Sequence, residues 1–197
     1  MGAPEVRPGR LGSAAALLAS RRRPVQLAYA VTDVRAVAAH WAASTGAGPF
    51  LVAEHVTLSN AVHGGGPAVL DHSCALGAWG GVLVELFDVH RAAPSSLASV
   101  ISTERPGLHH VAWFVDDLDD ERARLAAAGC GEVLTAEAAR SRFSFHTADD
   151  AGHLLEVYEP TGAIAAVYEA AFAAAAGWDG QDPVRDMGSA RPGGGQA

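Results

Sequence analysis

The sequence predicts an α+β fold of two tandem βαβββ modules followed by a C-terminal helix, on three observations. Gly107-Leu-His-His-Val-Ala-Trp-Phe-Val-Asp-Asp-Leu-Asp119 alternates as a strand and runs into acids able to cap a helix. A relative of it occurs earlier, in Gln26-Leu-Ala-Tyr-Ala-Val-Thr-Asp-Val34. There Gln26 matches His110, Ala28 matches Ala112, Tyr29 matches Trp113, Val31 matches Val115 and Asp33 matches Asp117. After each copy, strand signals follow the helix in the same order.

In the first module, residues 25–90, the opening strand has a bulky face of Leu27, Tyr29 and Val31 and a small face of Gln26, Ala28 and Ala30. The bulky face suits packing on a helix; the small face leaves room for a ligand. Asp33 is placed to N-cap a helix whose Val34, Val37, Ala38 and Trp41 recur at helical spacing, and Gly46 and Gly48 stop it. A strand is expected from Pro49 to Val56, then a turn at Gly64-Gly65-Gly66-Pro67. Ala68 to Ala78 and Gly81 to Val89 read as a hairpin turning near Trp79-Gly80-Gly81.

Residues 91–106, with Pro94 and Pro106, read as a polar linker. The second module, 107–160, repeats the order. Its strand is Leu108 to Val115 and its helix Asp117 to Ala128, with acids in the first turn as the helix dipole favours. Short strands follow near Glu132 to Thr135, Phe143 to Ala148 and His153 to Tyr158. Over residues 161–178, Ile164, Val167, Tyr168, Ala171 and Phe172 form one apolar stripe of a helix. The stripe reads as core packing, with a homodimer contact as the alternative. Residues 179–197, rich in Gly, Asp and Pro, are expected to be disordered.

Length and composition fit one domain or two small fused modules among 197 residues. The net charge of -8 excludes the basic face of a nucleic-acid binder. No stretch approaches the ~20 apolar residues of a membrane span. Cys74 and Cys130 form no C-x-x-C pair and read as reduced thiols of a cytoplasmic protein. In residues 1–24 the run Arg21-Arg22-Arg23 follows the short apolar piece, the reverse of a secretory signal, so this stretch reads as a disordered or weakly ordered arm.

The repeat also lines up chemistry. Gln26 and His110 hold equivalent places on the first strands. Glu85, in Val-Leu-Val-Glu-Leu-Phe, and Glu156, in His-Leu-Leu-Glu-Val-Tyr, hold equivalent places on the last. A carboxylate within an apolar strand is expensive to bury unpaired. Two at matching sites ask for a common partner, and a divalent cation neutralises both. Imidazole, amide oxygen and carboxylates suit zinc, with nickel, cobalt, manganese or iron as alternatives.

The chain resembles the vicinal-oxygen-chelate superfamily, also called the glyoxalase/bleomycin-resistance/dioxygenase superfamily. The resemblance spans residues 25–160. It is carried by Gln26-Leu-Ala-Tyr-Ala-Val-x-Asp, by His110-Val-Ala-Trp-Phe-Val-x-Asp-Leu, and by the strand-borne Glu85 and Glu156-x-x-Glu159-Pro160. It implies a curved mixed sheet around a central cavity and one metal ion held by Gln26, Glu85, His110 and Glu156. That set is similar to the zinc set of eukaryotic-type glyoxalase I, although no match to glutathione-binding residues is found. The implied activity is proton transfer beside a carbonyl (isomerase, epimerase or lyase) on a small molecule that chelates through two oxygens, with Glu156 or Glu85 as base. Candidate substrate contacts are His72, Phe87, Phe114, Arg142 and Tyr158. One alternative is a metal-free binding or resistance protein of the same fold. The other is an extradiol-type dioxygenase, with iron and with His72 replacing Gln26 as ligand.

Overall fold

The structure, a computed structural model, describes residues 14, 15, 19, 21–138 and 140–187. Its first half runs β1 (Gln26–Ala30), α1 (Val34–Thr45), β2 (Phe50–Thr57), β3 (Ser59–His63), β4 (Gly66–Pro67), β5 (Val69–Trp79) and β6 (Val82–Ala93). A helix in the connection, α2 (Ser95–Ile101), leads to β7 (Gly107–Phe114), α3 (Leu118–Ala127), β8 (Glu132–Ala138), β9 (Ser141–Ala148) and β10 (His153–Tyr158). The chain ends with α4 (Gly162–Ala175) and β11 (Val184–Asp186).

Both repeated strand-to-helix corners use the aspartate marked in the repeat. The Asp33 carboxylate accepts from the amides of Arg35 and Ala36 at 3.1 and 2.9 Å, and that of Asp117 from the amide of Asp120 at 2.9 Å. Gly46, at φ 74°, supplies the left-handed turn that ends α1. Glu159 accepts from the Leu118 amide at 3.0 Å, which ties the end of β10 to the start of α3.

All strands join one eleven-stranded sheet in the order β11-β2-β5-β6-β1-β7-β10-β9-β8-β3-β4. The modules meet where β1 pairs antiparallel with β7, and within each module the first strand pairs parallel with the last. The sheet is open and curved. Only Leu58 separates β2, near one end of the strand order, from β3, near the other. One residue spans under about 4 Å, so the two ends of the sheet approach each other at that corner.

α1 covers the outer face of the first half, where Val34, Ala38 and Ala42 pack on Phe50, Ala75 and Val84. α3 covers the second, with Leu118 and Leu125 against Val115 and Val157. α4 lies on the inner face against β5 and β9, one strand from each half. Its stripe is used within the chain: Tyr168, Ala171 and Phe172 are buried.

The structure departs from the sequence reading in four places. β3 does not extend the first module's sheet but crosses to pair with β8. Residues 91–106 contain α2, whose Leu97 and Ile101 are buried. Within the expected tail, Val184–Asp186 pairs parallel with Phe50–Val52; residues 188–197 of that tail lie outside the described residues. Of the expected arm, residues 1–13, 16–18 and 20 lie outside them too, but Arg22 is fastened. Its amide donates to Phe114 O at 3.1 Å and its guanidinium meets the Glu121 carboxylate at 2.8 Å. No helix among the described residues is long and apolar enough to cross a membrane.

Glu121 is 1% exposed and also receives Arg124 at 2.7 Å and the Trp113 indole N–H at 3.3 Å. The Arg124 hydrogen bond, followed by those of Arg22 and Trp113, outweighs burial and holds its carboxyl down at about 2. A carboxyl depressed in the folded state contributes stability that is full above its ordinary value near 4.5 and is lost as pH falls toward 2. Glu121→Gln should therefore lower unfolding free energy by about 2 kcal/mol at pH 7. The difference from wild type should vanish between pH 4.5 and 2, as followed by denaturant titration across that range.

Candidate metal centre

The four residues aligned by the repeat lie on four consecutive strands at the middle of the sheet: Glu85 on β6, Gln26 on β1, His110 on β7 and Glu156 on β10. The register has a local two-fold relation. Ala28 is opposite both Glu85 and His110, and Ala112 is opposite both Gln26 and Glu156. Exchanging the modules carries each pairing into the other. Ala28 and Ala112 are fully buried. By strand parity they share the inner face with Gln26 and His110, and their small side chains leave the space into which the four long ones converge.

The convergence is tight. His110 Nε2 lies 3.1 Å from Glu85 Oε2 and 3.3 Å from Glu156 Oε2. Gln26 Nε2 donates to Glu85 Oε2 at 2.7 Å. All four residues are 9% exposed or less. Burial by itself would push the His110 imidazole down; the carboxylates of Glu156 and Glu85 outweigh it and raise it to about 9. Burial raises Glu156, against the opposing pull of His110. Two carboxylates around one imidazolium leave a net negative charge in a buried place, an arrangement that favours a further cation.

The donor set fits a divalent ion. One ligand atom each from Glu85, His110 and Glu156 falls within 4.8 Å of the others, and this is the only such group among the described residues. Imidazole nitrogen and carboxylate oxygens are the mixture that zinc and its neighbours take. Gln26 stands beside them, held from behind: its Oε1 accepts from the hydroxyls of Tyr158 and Tyr168, both at 3.3 Å, and those hydroxyls are 2.7 Å apart. Burial pushes both phenols well above their ordinary value, so both keep their protons. A hydroxyl can donate or accept. The amide can therefore turn end for end and keep its tyrosine partners, and the carbonyl oxygen then faces the acids, a position that a cation between them would favour.

The cluster forms part of the wall of a cavity of about 300 Å³, together with His72, Phe87 and Tyr158. Two other sequence candidates lie elsewhere. Phe114 is not on the wall; its ring packs 5.0 Å from those of Tyr158 and Tyr168 and supports them. Arg142 alternates with the wall residues Ser141 and Phe143, so it faces outward, where it meets Asp119 at 2.9 Å. His72 stands outside the cluster, its ring against Phe87 at 4.7 Å. Burial holds its imidazole down at about 4, so it is neutral at pH 7. Cys74 and Cys130 are both free thiols.

Tyr168 escaped the sequence reading, which placed it on a stripe of core residues. Its signal was chemical: a tyrosine among alanines, Ile164, Val167 and Phe172 must find a partner for its hydroxyl when buried. Met187 and Leu58, also on the wall, carried no signal, because only the tertiary fold brings them there.

A family model described as Glyoxalase/Bleomycin resistance protein/Dioxygenase superfamily matches residues 25–145. The chain belongs to this superfamily. None of the curated proteins compared matches it. Among solved structures, methylmalonyl-CoA epimerase from Mycobacterium tuberculosis is 23% identical over 74% of this chain and 93% of its own, with a TM-score of 0.49. A hypothetical protein from Bacillus halodurans C-125 is 18% identical over 71% of this chain and 95% of its own, with a TM-score of 0.49. A variant of Streptomyces coelicolor methylmalonyl-CoA epimerase, in complex with 2-nitronate-propionyl-CoA, is 18% identical over 71% and 98%, with a TM-score of 0.48. The superfamily match ends within β9, so Glu156, Tyr158 and Tyr168 lie beyond it.

Two outcomes follow from this geometry. Tyr168→Phe removes one of the two hydroxyls on Gln26 and the partner of Tyr158. It should cost about 1 kcal/mol of unfolding free energy and weaken zinc binding about tenfold, as read by denaturant titration and by competition with a chelator. Ala112→Leu fills the floor under Gln26 and Glu156. Overpacking should cost about 2 kcal/mol, visible in the same titration, and should reduce zinc uptake further than Tyr168→Phe does.

Proposed function

We propose that this protein is a divalent-metal-dependent enzyme that transfers a proton on a carbon next to a carbonyl, in an isomerisation, epimerisation or lyase-type reaction. Its substrate is a small molecule presenting two neighbouring oxygens. One observation carries the reading: two carboxylates and an imidazole from distant strands converge, buried, on the wall of a cavity. Membership of a superfamily that includes glyoxalases and dioxygenases supports it.

A divalent ion, when held by Gln26, Glu85, His110 and Glu156, supplies Lewis acidity that polarises a substrate carbonyl and makes the neighbouring C–H more acidic. The residues divide the remaining work. Glu85 is fastened by both the Gln26 amide and His110. Glu156 is engaged only by His110 among the described residues. That freedom makes Glu156 the base: it takes the proton from carbon and returns it to the same carbon or to its neighbour. Tyr158 and Tyr168 hold the amide of Gln26 in place. The largely apolar wall excludes water that would compete for the proton.

The superfamily also includes bleomycin-resistance proteins, and a metal-free binding protein would leave the two carboxylates to His110 and the Gln26 amide. The dioxygenase reading requires His72 as a ligand, and His72 is not in the cluster.

Protein purified without added metal should carry about one divalent ion per chain by elemental analysis, and Glu156→Ala should lose it. With zinc present in D₂O, an α-hydroxy ketone should lose its α-proton signal by NMR. Glu156→Gln should slow that exchange at least a hundredfold. Protein that neither retains nor takes up a divalent ion would sink the proposal.

A further inference from the structure

Away from the four clustered residues the cavity wall is apolar. Val56 and Leu58 come from the β2–β3 crossing, Leu70 from β5, Phe143 from β9 and Val167 from α4. No arginine among the described residues lines it, and the protein contains no lysine. Two arginines flank the wall residue Ser141 in sequence: Arg142 is directed outward by strand parity and is occupied by Asp119, and Arg140 is exposed. The His110 imidazolium is already shared between Glu85 and Glu156, so the wall away from the cluster offers, among the described residues, no cationic partner for a phosphate or carboxylate.

Part of the enclosure comes from segments of the chain beyond the superfamily match. α4 contributes Ile164 and Val167, and the segment after β11 contributes Met187. Of the polar side chains on the wall outside the cluster, Ser141 and Tyr158 have hydrogen-bond partners and Thr57 is exposed, whereas His72 is 8% exposed and its Nδ1 has no hydrogen-bond partner among the described residues. An unsatisfied buried nitrogen beside a cavity is stabilised by a ligand with an uncharged polar group.

We infer that the cavity takes a compact, uncharged, mainly apolar carbonyl compound, an aryl or alkyl α-hydroxy ketone or 1,2-diketone. Its paired oxygens lie at the Gln26–Glu85–His110–Glu156 end and its apolar body under α4. The placement of the oxygens rests on the metal reading above; the selection of an uncharged body rests on the wall alone. An anionic body under α4 meets no counter-charge among the described residues, and the same wall disfavours a thioester whose carrier brings phosphates into the cavity.

The test is calorimetric titration of zinc-loaded and of chelator-stripped protein with 2-hydroxyacetophenone and with its ring-carboxylated analogue, which differs by one charge on the body. The neutral ketone should bind both forms, more tightly with zinc, and the carboxylate at least tenfold more weakly in each. Val167→Trp, which occupies the space under α4, should weaken the ketone at least tenfold while zinc content stays as in wild type. Should that variant fail to fold, the two ligands on wild-type protein still decide. Equal binding of the two ligands, no binding of the ketone to either form, or a ketone affinity indifferent to a folded Val167→Trp overturns the inference. Binding of the ketone without any zinc uptake supports it and sinks the metal reading instead.

Discussion

The structure depends on a charge problem solved in a buried place. Glu85 and Glu156 lie deep on the inner face of the sheet, and His110 between them carries one compensating charge for two carboxylates. Alone, either acid would be costly to bury. Together they are tolerable only because an amide, an imidazole and, in the reading proposed here, a cation stand within reach. Breaking such a group by removing one partner costs more than never having built it. Burial of the same region keeps its two tyrosines protonated and His72 neutral.

Duplication explains how four residues distant in sequence meet. Two copies of a parallel first-and-last strand pair, joined by their first strands, place equivalent positions across a local two-fold axis. The Ala28 and Ala112 register expresses it directly. The same symmetry lets the copies diverge. Where His110 offers an imidazole, its counterpart Gln26 offers an amide, and the tyrosines behind that amide hold it in place whichever end faces inward.

The parts legible in the sequence were those governed by local rules. Strand alternation, the capping aspartates Asp33 and Asp117, and the glycine ending α1 all follow from residue spacing and backbone preference. The four clustered residues were legible because the repeat makes one half predict the other. What escaped depends on pairing between distant segments. Ser59–His63 has no repeat partner and could pair with either half; only the closure of the sheet brings it to β8. Val184–Asp186 is a three-residue strand in a Gly- and Pro-rich setting, too short for a period of two to show. Arg142 illustrates the opposite error. A basic residue near a predicted cavity invites a substrate role, but its parity with Ser141 and Phe143 already directs it outward.

The C-terminal helix connects fold to chemistry. A curved sheet covered by helices only on its outer face would leave its inner face open to water, and with it the charged cluster. α4 bridges β5 and β9 across that face. One side of the helix buries Ala171 and Phe172 for stability, and the turn before them sends Tyr168 to Gln26 and Val167 to the cavity wall. A single amphipathic stripe thus helps to close the core, to hold one member of the cluster and to limit the space left for a ligand. These roles cannot be separated by deleting the helix, which would expose the core along with the site. They separate at the level of single side chains: the Tyr168 hydroxyl acts on the amide, the Val167 side chain on the ligand, and Phe172 on neither.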